Sequence, residues 1–284
     1  MSYEVRELES EDFPKLLFQI EDPPEKLFLA GKLPRPECKF LCVVGSRKNS
    51  NYGREVCRKL IEGLRGTNIV VVSGLALGID SIAHQAALNT GLKTIALPGS
   101  GLHPKVMYPR TNLRLAEEII KNGGALLSEF EEKFKATTWS FPQRNRLMAG
   151  MSDAVLIVEA EEKSGTLITA RLAMEYNRDV LVVPGDIFSR NSVGSNNLIK
   201  DGAIPIFNSE DILKHFGMET SRKNEIRDLS ENEKAVIAVL TEPMTKDELI
   251  EKTGMEIGKV NILISSMEIK GIIKESYGKI FVNE

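Results

Sequence analysis

The sequence is short of the residues that carry most redox and hydrolytic chemistry. It has three cysteines and three histidines in 284 residues. Cys38, Cys42 and Cys57 are an odd set without a Cys-x-x-Cys spacing. That argues against a disulfide framework or a thiolate metal site and fits reduced, structural thiols of a cytoplasmic protein. No HExxH is present, and no Ser–His–acid set can be assembled. GxGxxG and GxxxxGK[ST] are missing, and no acidic residue stands where a ribose-binding carboxylate belongs, which disfavours a dinucleotide cofactor or a P-loop. No run of about eighteen apolar residues exists, so no membrane span is expected. The first thirty residues are acidic and lack an apolar core, so no secretory signal is expected. These absences predict a cytoplasmic, non-catalytic protein with no metal and no cofactor.

What is there is uneven in charge. The net charge of −3 combines −5 in residues 1–31, +4 in residues 32–221 and −2 in residues 222–284. A polyanion is therefore expected on the middle of the chain and not on its ends. Residues 1–36 hold five prolines and scattered apolar residues. They read as an acidic lead-in that packs through Leu16, Leu17, Phe18, Leu27, Phe28 and Leu29. Residues 37–217 alternate short apolar strands with helical stretches, as in 40–44, 68–72, 93–97, 154–158 and 180–183. That pattern predicts an α/β domain, an extended Rossmann-like, doubly wound, mostly parallel sheet with both faces covered.

The carboxyl ends of these strands carry small or hydroxyl residues: Gly45-Ser46, Ser73-Gly74 and Pro98-Gly99. In a doubly wound sheet such turns converge on one crevice, where ligands bind. Arg47 leaves the first strand directly into that crevice, and Arg54 sits near a helix start, a poor place for a cation unless an anion is near. The stretch 141–170 is the most informative. Arg144 and Arg146 flank Asn145, a buried strand follows, and Ser164-Gly165-Thr166 then opens a helix whose free N–H groups suit an anion. A phosphate-bearing ligand is one reading; surface arginines and a plain helix cap are the other. Phe141, Trp139 and Tyr108 lie near basic residues, where bases of a single strand stack. Asp80 and His84, four residues apart, read as a helix-capping carboxylate and a satisfied histidine.

Residues 218–228 are polar and read as a linker. Residues 229–284 give three helices and a hairpin turned at Gly278, the pattern of a small winged helix-turn-helix domain. Its third helix offers Lys259, Asn261, Ser265 and Ser266 but no arginine, so a protein-contact or regulatory role is favoured over base readout.

Eight segments in order resemble the DNA-processing protein A family: VGSRKNSNYG (44–53), SGLALGIDSIAH (73–84), TIALPGSGL (94–102), YPRTN (108–112), LLSEF (126–130), FPQRNRLMAG (141–150), VEAEEKSGTLITA (158–170) and VPGD (183–186). The resemblance implies single-stranded DNA binding without catalysis, homodimers, and loading of a RecA-type recombinase on incoming DNA in natural transformation. Carried over by motif, the DNA contacts are Arg47, Arg54, Phe141, Arg144 and Arg146, with Ser164-Gly165-Thr166 as a phosphate cradle. Leu77 stands where the family pattern carries arginine, and the acidic lead-in takes the place of a helical domain found in many relatives. The alternative is a phosphoribohydrolase-like, nucleotide-binding enzyme of the same fold superfamily. Those enzymes carry a glutamate three residues after the threonine of a PGGxGTxxE loop; Thr169 stands there instead.

Overall fold

Alternate residues of the inner strands point to opposite sides of one sheet, and both sides are buried. In β3 (Lys39–Val44) and β4 (Ile69–Ser73), Cys42, Val44, Val70 and Val72 join one core, while Leu41, Val43, Ile69 and Val71 join the other. This is why these segments read as continuous apolar runs rather than as polar–apolar alternation. The computed structural model describes residues 3–218, 229–270, 272–276 and 278–282. The chain divides into two units, Met1–Met218 and Glu219–Glu284.

The first unit holds a nine-stranded sheet in the order β1-β2-β6-β5-β4-β3-β7-β8-β9. The further strands are β1 (Arg6–Glu7), β2 (Phe28–Gly31), β5 (Thr94–Ala96), β6 (Ala125–Ser128), β7 (Ala154–Ile157), β8 (Asp179–Val182) and β9 (Ile204–Pro205). From β6 to β9 all neighbours are parallel. The helices are α1 (Asn51–Glu62), α2 (Ile79–Thr90), α3 (Leu113–Lys121), α4 (Ser140–Met151), α5 (Gly165–Glu175), α6 (Val193–Lys200) and α7 (Ser209–His215). The chain runs outward from β3 through β4 and β5 to β6, then returns to place β7 on the other side of β3. The carboxyl ends of β3 and β7 thus form a topological switch point, the place where open α/β sheets bind ligands. The expected α/β, mostly parallel sheet is observed.

The lead-in is more built than its sequence suggested. It supplies β2, antiparallel to β6, and β1 at the sheet edge. Leu17, Leu27, Phe28 and Leu29 are buried as expected, but Phe18 is exposed, and Leu8, Phe13 and Ile20 are buried instead. Ile20 and Leu17 press on Gly150 of α4, where an added Cβ would lie 2.7 Å from Ile20 and 3.4 Å from Leu17.

The second unit contains α8 (Glu231–Val239), α9 (Lys246–Thr253), α10 (Ile257–Ile269) and the antiparallel strands β10 (Ile273–Ser276) and β11 (Lys279–Val282). Capping boxes open α8 and α9, with Ser230–Glu233 and Thr245–Glu248 as the pairs; such pairs satisfy two otherwise free N–H groups at a helix start. Val236, Leu249, Val260 and Met267 are among the buried residues of its own core. The polar segment assigned to a linker lies outside the described residues apart from Met218.

Because Leu17 is fully buried in the main core, Leu17→Ala is expected to destabilise the first unit by about 2–5 kcal/mol. Urea unfolding checks this; an unchanged midpoint would mean that the lead-in is an appendage.

Candidate nucleic-acid interface

The strand-end loops at the switch point enclose an open crevice of ≈ 500 Å³. Gly45, Ser46, Arg47, Phe141, Arg144, Asn145, Ser164, Gly165 and Thr166 line it, together with Lys48, Asp80, Glu161, Lys163 and Thr169. Arg47, Lys48 and Lys163 are exposed at its rim.

Each wall has a local cause. Ser50 caps α1 through the Gly53 N–H at 3.0 Å, and Glu159 beyond β7 holds Ser50 by its N–H at 2.9 Å and its hydroxyl at 2.5 Å. Gly53 must be glycine, because a Cβ there would strike the Glu159 carboxylate. Glu159 therefore fixes the loop that carries Arg47 and Lys48. It was missed in the sequence, where it reads as one of three closely spaced acids. On the other wall the Ser164 hydroxyl accepts from the Thr166 N–H at 3.2 Å and caps α5. Gly165 is exposed with open space where a Cβ would stand. The α5 amino end thus faces the crevice with the partial positive charge of its free N–H groups.

Phe141 forms the third side. Ser140 donates to the Gly99 carbonyl at 2.6 Å and pins the start of α4. The Phe141 ring then lies on Gly99, where a Cβ would come within 2.5 Å of it. The Arg47 guanidinium sits 5.2 Å from the ring centroid, within cation–π range, and the Tyr108 ring is 5.7 Å away.

Arg144 has a different position from the one expected of a DNA contact. It is 4% exposed. Its Nη1 donates to the Gly74 carbonyl at 2.5 Å and also to the Leu97 carbonyl, and its Nε donates to the Asn145 side chain at 3.1 Å. Asp80 accepts the Gly74 N–H at 3.1 Å and the Ala76 N–H at 3.4 Å. Arg144 and Asp80 therefore hold Gly74 from its two backbone ends, and a Cβ on Gly74 would lie 2.6 Å from the guanidinium. Burial raises the Asp80 carboxyl, with Arg144 acting in the opposite sense. Burial lowers Arg144 to about 10, opposed by Asp80.

Other expected site residues are also used internally. The Ser73 hydroxyl donates to the Val43 carbonyl at 2.6 Å and is fully buried, so it ties β4 to β3 and offers nothing to a ligand. Both backbone groups of Gly74 are taken by Arg144 and Asp80. Arg146 points away from the crevice: its guanidinium pairs with Glu129 and donates to the Asp22 carbonyl at 2.6 Å, tying α4 to the lead-in. Arg54 is exposed on α1 and does not line the crevice. Leu77 lines a smaller depression beside Arg47 and Phe141. His84 is buried; since the Thr94 hydroxyl donates to the Val71 carbonyl at 2.7 Å, His84 Nδ1 must donate to Thr94, 2.7 Å away. Burial and then Arg144 lower His84 to about 3, so it stays neutral. Among the described residues, no group of three His, Cys, Asp or Glu side chains is placed to hold a metal ion.

The α/β crevice at the switch point thus carries the exposed cations Arg47, Lys48 and Lys163 at its rim and the half-buried Phe141 ring in its wall. Residues 4–217 match the family described as DNA recombination-mediator protein A, and the chain belongs to that family. The Smf protein of Escherichia coli K12 is 42% identical over 212 residues, covering 74% of this chain and 56% of that one. The DNA processing protein DprA of Streptococcus pneumoniae R6 is 42% identical over 204 residues, covering 72% of this chain and 71% of that one. The chain thus spans little more than half the length of the Escherichia coli relative. A crystal structure of DNA processing protein A from Streptococcus pneumoniae matches with a TM-score of 0.67 at 39% identity, covering 74% of this chain and 73% of that one. The Helicobacter pylori protein of the same name, studied for its single-stranded DNA binding mode, matches with a TM-score of 0.67 at 34% identity, covering 75% of this chain and 96% of that one.

Arg144→Ala leaves Asp80 buried without its counter-charge, which is expected to cost about 3–5 kcal/mol near neutral pH. A buried carboxyl with a raised pKa is tolerated when protonated, below its unfolded value of about 3.9, and that tolerance is lost as pH rises through the folded value. The deficit of Arg144→Ala against the native chain should therefore shrink on acidification. Urea unfolding at several pH values checks this, and a pH-independent deficit contradicts the pairing.

Proposed function

We propose that this protein binds single-stranded DNA without catalysis and acts as a recombination mediator that loads a RecA-type recombinase on DNA entering by natural transformation. The observation that carries the DNA reading is the Arg47 guanidinium held 5.2 Å from the centre of the Phe141 ring at the rim of an open crevice. An aromatic face beside exposed cations offers stacking to a base and neutralisation to the adjoining phosphate, the two terms that drive sequence-tolerant single-strand binding. At the start of α5, within Ser164-Gly165-Thr166, the Thr166 N–H is held by Ser164, and the Gly165 N–H with the positive helix end is offered to a further phosphate. The single-stranded DNA binding mode studied in the Helicobacter pylori protein supports the same substrate.

The phosphoribohydrolase alternative is left without its carboxylate, because Thr169 occupies the place and is buried in the crevice wall. We place the protein in the cytoplasm as a homodimer. The second unit is read as a winged helix used for protein contact. Its third helix, α10, exposes Ile257 and Ile262, large apolar side chains better suited to a protein than to phosphates.

Fluorescence anisotropy with labelled oligo-dT and its duplex across a salt series tests the reading. Tight binding to the single strand with a steep negative salt slope is expected; equal or absent binding to both overturns it. Arg47→Ala should weaken oligo-dT binding about tenfold and make the salt slope shallower by about 0.7, one phosphate contact. Arg146→Ala should leave that affinity almost unchanged while lowering the unfolding midpoint. A chain ending at residue 217 should retain most of the affinity, as the charge partition requires.

A further inference from the structure

Among the described residues of the first unit, the loop between β8 and α6 carries the most exposed large apolar side chains, Ile187 at 78% and Phe188 at 90%. A phenylalanine so exposed has a cost in water, and this loop is not free to fold it away. Asp186 accepts the Phe188 N–H through its side chain at 2.8 Å and the Ser189 N–H through its carbonyl at 3.0 Å, making a tight turn. At its base the Asn196 side chain holds both the N–H and the carbonyl of Gly185 at 3.0 Å each. The Tyr52 hydroxyl donates to the Pro184 carbonyl at 2.8 Å. The apolar tip is held outward by its own hydrogen bonds.

The same loop and the start of α6 that follows it are fastened to both walls of the crevice. Asn191 donates to the Lys48 carbonyl at 3.4 Å, and Gly194 donates to the Ala160 carbonyl at 2.8 Å, next to Glu161. Arg190, on the loop, and Lys48, on the adjoining wall, are both exposed. Exposed apolar side chains and the cations Arg190 and Lys48 therefore share this rim with the exposed acids Asp186 and Glu161. On the α4 side of the crevice the exposed aromatic, Trp139, is already packed edge-on against Phe130 and Phe134.

We propose that Ile187 and Phe188 form a second stacking platform, on which bases of the same single strand rest as it leaves the crevice, with Arg190 and Lys48 neutralising the adjoining phosphates. This rests on the single-strand reading above and adds a direction to it: the strand exits over the β8–α6 loop. Bases stack on any aromatic face with little regard to sequence, and a rigidly presented ring loses little freedom on binding. The platform therefore extends the site without adding sequence preference.

The test compares oligo-dT of about five nucleotides, enough to fill the crevice, with one of about twenty, long enough to cross the rim. The full chain is measured beside Ile187→Ser/Phe188→Ser and beside Phe188→Trp. The double variant should bind the short strand like the native chain and lose about five- to a hundredfold on the long one. Phe188→Trp should show tryptophan quenching beyond that of Trp139 with the long strand only. Equal affinity of native and double variant for the long strand overturns the platform, as does an equal loss on both lengths. A double variant that sediments as a smaller species while keeping its affinity per chain would assign the surface to a second copy and likewise overturn it. If the native chain binds neither length, the single-strand reading itself falls, a result distinct from these.

Discussion

A guanidinium buried among the carbonyl ends of the sheet is the constraint on which the site depends. Arg144 cannot be solvated where it sits, so its charge must be met by the Gly74 and Leu97 carbonyls and by Asp80 nearby. Buried charges are tolerated only with such compensation. The consequence is geometric. The loops after β4 and β5 are held to the start of α4, Gly74 must lack a side chain, and Phe141 is delivered onto Gly99. A second consequence is electrostatic: Arg144 is balanced by Asp80 and adds little to the field of the crevice. The exposed positive charge of the crevice comes from Arg47, Lys48 and Lys163 at the rim, where water reaches them.

The sheet, its parallel order and the convergence of its loops could be read from the sequence because buried strands leave a plain signal, a short apolar run ending in Gly or Ser. The placement of individual arginines could not be read so directly. Arg144 and Arg146 look like a pair along the chain, but residues two apart on a helix face nearly opposite directions. One enters the crevice wall and the other turns to Glu129 and Asp22. Ser73 shows a related failure: a hydroxyl at a strand end is equally suited to a ligand or to the neighbouring strand, and here Val43 takes it. The two lead-in strands are short and lie among prolines and acids, so no periodicity announced them. Glu159 was hidden because its partner, Ser50, is distant in sequence and meets it only through the β3–β7 pairing.

The switch point gathers its residues from separate parts of the chain. The crevice lining comes from the loops after β3, β4 and β7 and from the start of α4, segments far apart in the chain. What remains legible is a run of small residues at successive strand ends. Glycines at 45, 53, 74 and 99 are required by close approach to Ile79, Glu159, Arg144 and Phe141 respectively, so they mark the packing of the crevice as well as its opening.

The most direct test of this account is amide hydrogen exchange of the full chain with and without saturating oligo-dT. Protection is predicted in residues 45–50, at the start of α4 around 139–145 and in residues 161–168, the three walls of the crevice. Protection confined to residues 229–284, or absent from all three walls, would contradict the claim that the crevice organised by Arg144 and Asp80 receives the strand.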